Sequence, residues 1–189
     1  ASETPKPGSS LFRRVHHHIV GNNEAAVMAV AQAASEAGLR TLVHRPALTG
    51  EAQDEGQRFG ALARSIVRSG KPLQRPCCVV AGGETTVTVT GKGAGGRAQE
   101  FAVAAALEIA GLAKVWVVAI GTDGTDGPTD AAGAVLDGST VARAQRLSVD
   151  LKGALKRHNT YPALKRLNQL IMTGPTGTNV NDLYLLLVL

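Results

Sequence analysis

The sequence predicts an α/β domain: a mixed sheet flanked by helices, opening with a βαβα unit and containing a partly antiparallel, glycine-rich segment. Three observations carry this expectation. Apolar runs of strand length, KVWVVAI and LYLLLVL among them, are separated by Ala-rich stretches of helix length. Glycines stand where those helices would have to end. Most long Gly-rich turns fall beside strand ends, where α/β proteins place their chemistry. The 189 residues are 44% apolar and 19% charged, an ordinary balance for one buried domain. Aromatics make up only 3%, so the core must be built mainly from Ala, Val and Leu.

Taken in order, residues 1–10 read as a linker or ragged end, and 11–189 as a single domain with a lead-in (11–75) and a main module (76–189). RRVHHHIVG is strand-like and breaks at Gly21. His16 and His18 would share one face and His17 the other; with no further His or Cys at ligand spacing, a partly buried edge strand is favoured over a metal site. Asn22 or Asn23 can cap a helix through EAAVMAVAQAASEA, ended by Gly38. LRTLVHRPAL reads as a second strand, and Thr49 as the cap of a second helix to about Ser69, closed by Gly70. Strand, helix, strand, helix implies a parallel unit with a right-handed crossover.

After Pro76, CCVVAGGETTVTVTG suggests two strands interrupted at Gly82 and Gly83. Cys77 and Cys78 would then face opposite sides, as small buried thiols rather than a disulfide. A glycine loop precedes a helix, AQEFAVAAALEIAG, ended by Gly111. The strand KVWVVAI leads into the loop GTDGTDGPTDAAGAVLDG, two or three helices fill roughly 139–171, and the turn TGPTGTNVND leads into LYLLLVL.

No apolar run reaches the ~18 residues of a membrane span, and the polar start carries no export signal, so a cytoplasmic, reducing location is expected. The net charge of +5 is spread along the chain. Its densest stretch, LKGALKRHNTYPALKR, offers only Tyr161 for stacking, which disfavours a nucleic-acid partner.

The segment GKGAGGRAQE satisfies G-x-G-x-x-G through Gly91, Gly93 and Gly96. A dinucleotide site also needs a fully apolar strand before it and an acid about 20 residues after it. Here ETTVTVT alternates Thr with Val, and the first acid after the next strand is Asp123. The Walker and protein-kinase loop patterns are absent. What remains is a nest of backbone amides at a helix N-terminus, with Arg97 placed where a cation is disfavoured unless it faces an anion. A phosphate between the amides and Arg97 would resolve that conflict; a plain strand-to-helix turn with a surface Arg is the alternative.

GTDGTDGPTD gathers Asp123, Asp126 and Asp130, and grouped carboxylates suit a hard cation such as Mg²⁺. The EF-hand spacing is absent, and Asp130 could instead cap a short helix. TGPTGTNVND supplies Thr173, Thr176, Thr178, Asn179, Asn181 and Asp182, an unusual density of hydrogen-bonding groups for one turn.

GGETTVTVTGKGAGGRAQEFAVAAALEIAG, GTDGTDGPTDAAGAVLDG and TGPTGTNVND closely resemble the MOFRL module, the C-terminal part of the class II glycerate kinases, older members of which carry the label hydroxypyruvate reductase. HHIVGNNEAA and LTGEAQDEG are similar to the segment before that module, so the resemblance runs from about residue 14 to the end. It implies transfer of the γ-phosphate of ATP to D-glycerate, giving 2-phosphoglycerate with Mg²⁺ present. Arg97 matches the family's catalytic arginine. Gly82, Gly83, Glu84, Gly93, Gly95, Gly96, Gln99, Thr176, Asn179 and Asn181 are the expected substrate- or phosphate-binding residues, with Asp123 and Asp126 as candidate metal contacts. Two departures stand out. Ala98 replaces the Asn of GGRNQE, and the N-terminal domain that carries a catalytic lysine has no counterpart here, Lys92 being no substitute. The resemblance therefore implies a C-terminal domain that needs that partner domain and is inactive alone. A free-standing binding module and an NAD(P)H-dependent hydroxypyruvate reductase are the alternatives, and a homodimer is left open.

Overall fold

The computed structural model describes residues 4–16 and 18–189. Six strands form one mixed sheet in the order β1-β2-β6-β3-β4-β5. The strands are β1 (Arg40–Val43), β2 (Cys77–Gly83), β3 (Val115–Gly121), β4 (Gly133–Asp137), β5 (Leu170–Ile171) and β6 (Asp182–Val188). Only β1 and β2 pair in parallel; every other neighbouring pair is antiparallel. The helices are α1 (Asn23–Glu36), α2 (Ala52–Ser69), α3 (Arg97–Glu108), α4 (Thr140–Arg146), α5 (Leu151–Lys156) and α6 (Thr160–Leu167). No helix among the described residues is long and apolar enough to cross a membrane.

Strand alternation divides the core between the two faces of the sheet. Cys78 and Val80 face α1 with Val27 and Ala31, while Cys77, Val79 and Ala81 face the larger core beneath α2 and α3. The adjacent cysteines are thus buried, free and on opposite faces, as the pleat requires. The larger core is rich in Ala, Val and Leu, and the aromatic pairs Phe59–Phe101 and Phe101–Tyr184 run through it at centroid distances of 5.5 and 4.2 Å. α3 is sealed from Ala98 to Ala106 because α2 lies directly against it. A Cβ on Gly56 would stand 2.3 Å from the Phe101 carbonyl oxygen, and one on Gly60 2.5 Å from the Glu108 Cβ. Only glycine permits that approach.

Asn22 caps α1 by accepting the Ala25 amide at 2.8 Å, and Gly38, Gly70 and Gly111 follow their helices with positive φ, as expected. Other expectations are corrected. RRVHHHIVG forms no strand among its described residues: a 3₁₀ turn covers Ser10–Phe12, and Val15, Ile19 and Val20 remain exposed. His17 lies outside the described residues. The lead-in is therefore helix, strand, helix. Thr49 does not cap α2; Glu51 precedes the helix, and its carboxylate is drawn away to the amide and hydroxyl of Thr88. ETTVTVT is not a second strand either, since β1 ends at Val43 and beyond it only the isolated bridges Leu48–Gly83 and Glu51–Thr86 continue the pairing. The loop GTDGTDGPTDAAGAVLDG hides β4, which pairs with β3 from Trp116–Asp137 to Ile120–Gly133.

Candidate active site

The antiparallel register brings three strand ends to one end of the sheet: Gly83, Asp182 and Gly121 stand side by side on β2, β6 and β3. Residues 84–96 leave β2 as an extended strap, cross this end, and enter α3 at Arg97. A cavity of about 790 Å³ lies between the strap, the first turn of α3 and the α5–α6 turn. Of the residues expected at the site, Glu84, Gly93, Gly95, Gly96 and Arg97 line it.

Arg97 does face an anion, and that anion is a carboxylate. Its Nε donates to Asp182 Oδ2 at 2.6 Å and its Nη2 to Oδ1 at 3.1 Å, a two-pronged grip on a side chain that is 1% exposed. Nη1 reaches Glu84 Oε1 at 3.0 Å, where the partner is about half exposed. The hydrogen bonds it donates to Asp182 hold the guanidinium above its ordinary value, so it is a permanent cation. Burial pushes the Asp182 carboxyl up, against the pull of Arg97 and of the Tyr184 hydroxyl, which donates to it at 3.1 Å. Thr85 and Tyr184 hydroxyls lie 3.0 Å apart and continue the network into the core.

Two of the amides at the start of α3, where a phosphate is expected, are taken by a side chain of the protein. Ala98 N and Gln99 N donate to the two oxygens of Asp126 at 3.1 and 2.9 Å. The negative charge that a helix N-terminus favours is thus supplied from the chain itself. Burial raises the Asp126 carboxyl to about 6, opposed by those amides. Gly96 makes room for it, because a Cβ there would lie 2.3 Å from Asp126 Cγ. Gly93 and Gly95 serve close approach in the same way, one against the carbonyl oxygens of Arg157 and His158, the other against the Thr160 hydroxyl. The glycines of the fingerprint therefore pack a strap onto its neighbours. β2, buried at every position, ends well before α3, and this spacing is not that of a dinucleotide turn.

The remaining expected residues fall elsewhere. Gly82 and Gly83 are buried; a Cβ on the first would strike Asn23 Oδ1 and on the second the Leu48 backbone. Gln99 is fully buried and donates to the Thr129 hydroxyl at 3.0 Å. Thr176 donates to the Thr122 carbonyl, Asn179 accepts the Asn181 amide, and Asn181 adopts a positive φ of 65°, all within the terminal turn. Asp123 accepts the Thr125 amide, and Asp130 accepts the Tyr161 hydroxyl rather than capping a helix. Among the described residues no group of three or more His, Cys, Asp or Glu side chains could hold a metal ion. Asp126 is thus engaged by the Ala98 and Gln99 amides and Asp182 by Arg97.

Sequence reasoning missed Glu100 and His158, which also line the cavity; His158 Nδ1 lies 3.0 Å from Glu100 Oε1. Glu100 closes the GGRAQE motif, one turn beyond Arg97, and that i,i+3 spacing was the available signal. Nothing local marked His158, which the fold brings in from the α5–α6 turn.

The MOFRL family matches residues 77–182. The chain is 42% identical over 175 residues to a glycerate 2-kinase from Pyrococcus horikoshii, covering 92% of this chain and 40% of that protein. It is 40% identical over 186 residues to a D-glycerate 2-kinase from Thermotoga maritima, covering 98% and 44%. A crystal structure of a glycerate kinase from Thermotoga maritima matches the fold with a TM-score of 0.89 at 40% identity, covering 91% of this chain and 42% of that one. The chain thus spans less than half the length of these relatives.

Proposed function

The chain belongs to the MOFRL family, and from that premise we propose that it forms the C-terminal part of an ATP-dependent glycerate kinase acting on D-glycerate to give 2-phosphoglycerate. One observation carries the reading: a permanently charged guanidinium on the cavity wall, gripped on its Nε side by buried Asp182 and covered on Nη1 by the exposed carboxylate of Glu84. Phosphoryl transfer asks a protein mainly for positioning and for charge stabilisation. Asp182 supplies the positioning by fixing the plane of the fork. Glu84 occupies the place an anionic substrate group would take, and an exposed ion pair of ~1 kcal/mol or less is readily exchanged. Arg97 would then hold the glycerate carboxylate or the oxygens of the transferring phosphoryl group.

Among the described residues lining the cavity, Arg97 is the only Lys or Arg. One cation is a poor match for the charge of a nucleoside triphosphate. This supports the view that the site is completed by a lysine-bearing N-terminal domain and that the chain is inactive alone.

The test is the full-length gene product assayed with glycerate and ATP beside its Arg97→Ala variant, with activity normalised to folded protein. The variant is expected to lose at least about tenfold in kcat/KM, or ~1.4 kcal/mol of transition-state stabilisation. A loss within about twofold would remove Arg97 from the chemistry, and turnover by this chain alone would show that no second domain is needed.

A further inference from the structure

Glu100 stands one turn beyond Arg97 on the same face of α3, and it is 1% exposed. A carboxylate this deep persists only when it is hydrogen-bonded. Both of its oxygens are used outside its own helix: Oε1 lies 3.0 Å from His158 Nδ1, and Gln53 Nε2 donates to Oε2 at 2.7 Å. The carboxylate accepts, so Nδ1 carries a proton and the ring is fixed in orientation. Its far nitrogen, Nε2, lies 3.2 Å from the Thr90 hydroxyl on the strap. His158 has a φ of 52°, uncommon for a side chain of this size, and its carbonyl oxygen is one of those against Gly93.

Near β2 the strap is held by the Glu84 and Thr86 amides, which donate to the Leu48 and Gly50 carbonyls at 3.0 and 2.7 Å. Glu51 grips it at Thr88, and the α5–α6 turn grips it at Ala94, whose amide donates to Asn159 Oδ1 at 3.0 Å and whose carbonyl accepts the Tyr161 amide at 2.9 Å. Between those points lies the crest, with Val89 64% exposed beside the cavity it lines. Thr90 is where a side chain of the α5–α6 turn meets this crest.

We propose that Glu100 and His158 are positioning residues, and that the Glu100–His158–Thr90 link fixes the crest of the strap as a wall of the cavity. The pair sets the affinity for the substrate held there and leaves the phosphoryl step to Arg97. This rests on the kinase reading, so its test has one arm that does not.

In the full-length gene product, His158→Ala, Thr90→Val and the double variant are compared by steady-state kinetics and by hydrogen exchange over residues 86–95. Each single change is expected to raise KM for glycerate or for ATP at least about fivefold with kcat within about twofold. The double variant should be no worse than His158→Ala, because coupled residues act as one unit, and exchange over the strap should accelerate in all three. Unchanged KM and exchange overturn the proposal, as do effects that multiply or a kcat that falls at constant KM. If the unsubstituted protein shows no ATP-dependent turnover, the kinase reading fails by itself. The exchange arm then decides the link, acceleration supporting it and no change ending it.

Discussion

Two glycine-rich, polar segments meet at one end of the sheet, and they use their hydrogen-bonding groups in opposite ways. The terminal turn, 172–181, spends them on its neighbour. The Thr176 hydroxyl donates to the Thr122 carbonyl, the Thr176 amide to the Asp123 carbonyl and the Val180 amide to the Thr122 hydroxyl. Thr122 N in turn donates to the Asn181 carbonyl. None of these residues lines the large cavity. The strap, 84–96, places Glu84, Val87, Val89, Gly93, Gly95 and Gly96 along that cavity and leaves Glu84 in an exposed, exchangeable ion pair. A high density of hydrogen-bonding residues therefore marks turn chemistry as readily as site chemistry. What separates the two is whether a group faces open space with a partner it can release.

The Arg97–Asp182 pair joins the elements that follow the two segments, α3 and β6, and breaking it from either side should give unequal costs. Arg97→Ala strands a carboxylate that is 1% exposed, and losing one partner of a buried pair costs about 3–5 kcal/mol. Asp182→Ala leaves a guanidinium that is 34% exposed and still has Glu84, so the expected cost is about 1–2 kcal/mol. Urea denaturation of both variants measures the difference. Equal losses would mean that Asp182 is not held as a buried charge.

The next effect in size depends on pH. Asp126 reaches from the acidic loop to the start of α3, and burial raises its carboxyl from an ordinary 3.8 to about 6. The folded state then binds the proton more tightly than the unfolded state. The stability this confers is fully present below about 3.8 and is lost as pH rises through about 6. Compared with Asp126→Asn, the unsubstituted protein should lose relative stability between pH 4.5 and 7.5, by at most about 3 kcal/mol. Denaturation curves of both proteins across that range test the sign. A gain on raising the pH would mean that the Ala98 and Gln99 amides outweigh burial.

Much of the frame was legible in the sequence because it rests on local rules. Asn22, Gly38, Gly70 and Gly111 mark helix ends by cap chemistry, and the adjacent cysteines follow the pleat. The failures come where partners are distant. RRVHHHIVG and ETTVTVT have strand-like patterns but join no strand of the sheet among the described residues, and β4 was masked by the Gly and Asp residues before it. At the site, the MOFRL-like motifs led to Arg97 and the strap glycines, which the cavity brings together. They could not show that Asp126 and Asp182 would supply the anions themselves, because those contacts join residues 28 and 85 positions apart. His158 reaches Glu100 across 58 positions, a separation no local pattern records.

The smallest predicted effect is the most direct trial of the contrast between the segments. Thr176→Val keeps the shape of the side chain and removes one hydroxyl. That hydroxyl donates to the Thr122 carbonyl and also accepts, at 3.4 Å, from the Thr178 amide. The site is exposed, so water can replace both partners, and the loss should be about 1 kcal/mol or less. Because the turn lines no part of the cavity, KM and kcat of the full-length gene product should stay within about twofold of the unsubstituted values. A large rise in KM with stability intact would place the terminal turn at the substrate after all. The density of Thr and Asn in TGPTGTNVND would then be binding chemistry, and the strap would no longer be the only one of the two segments that shapes the site.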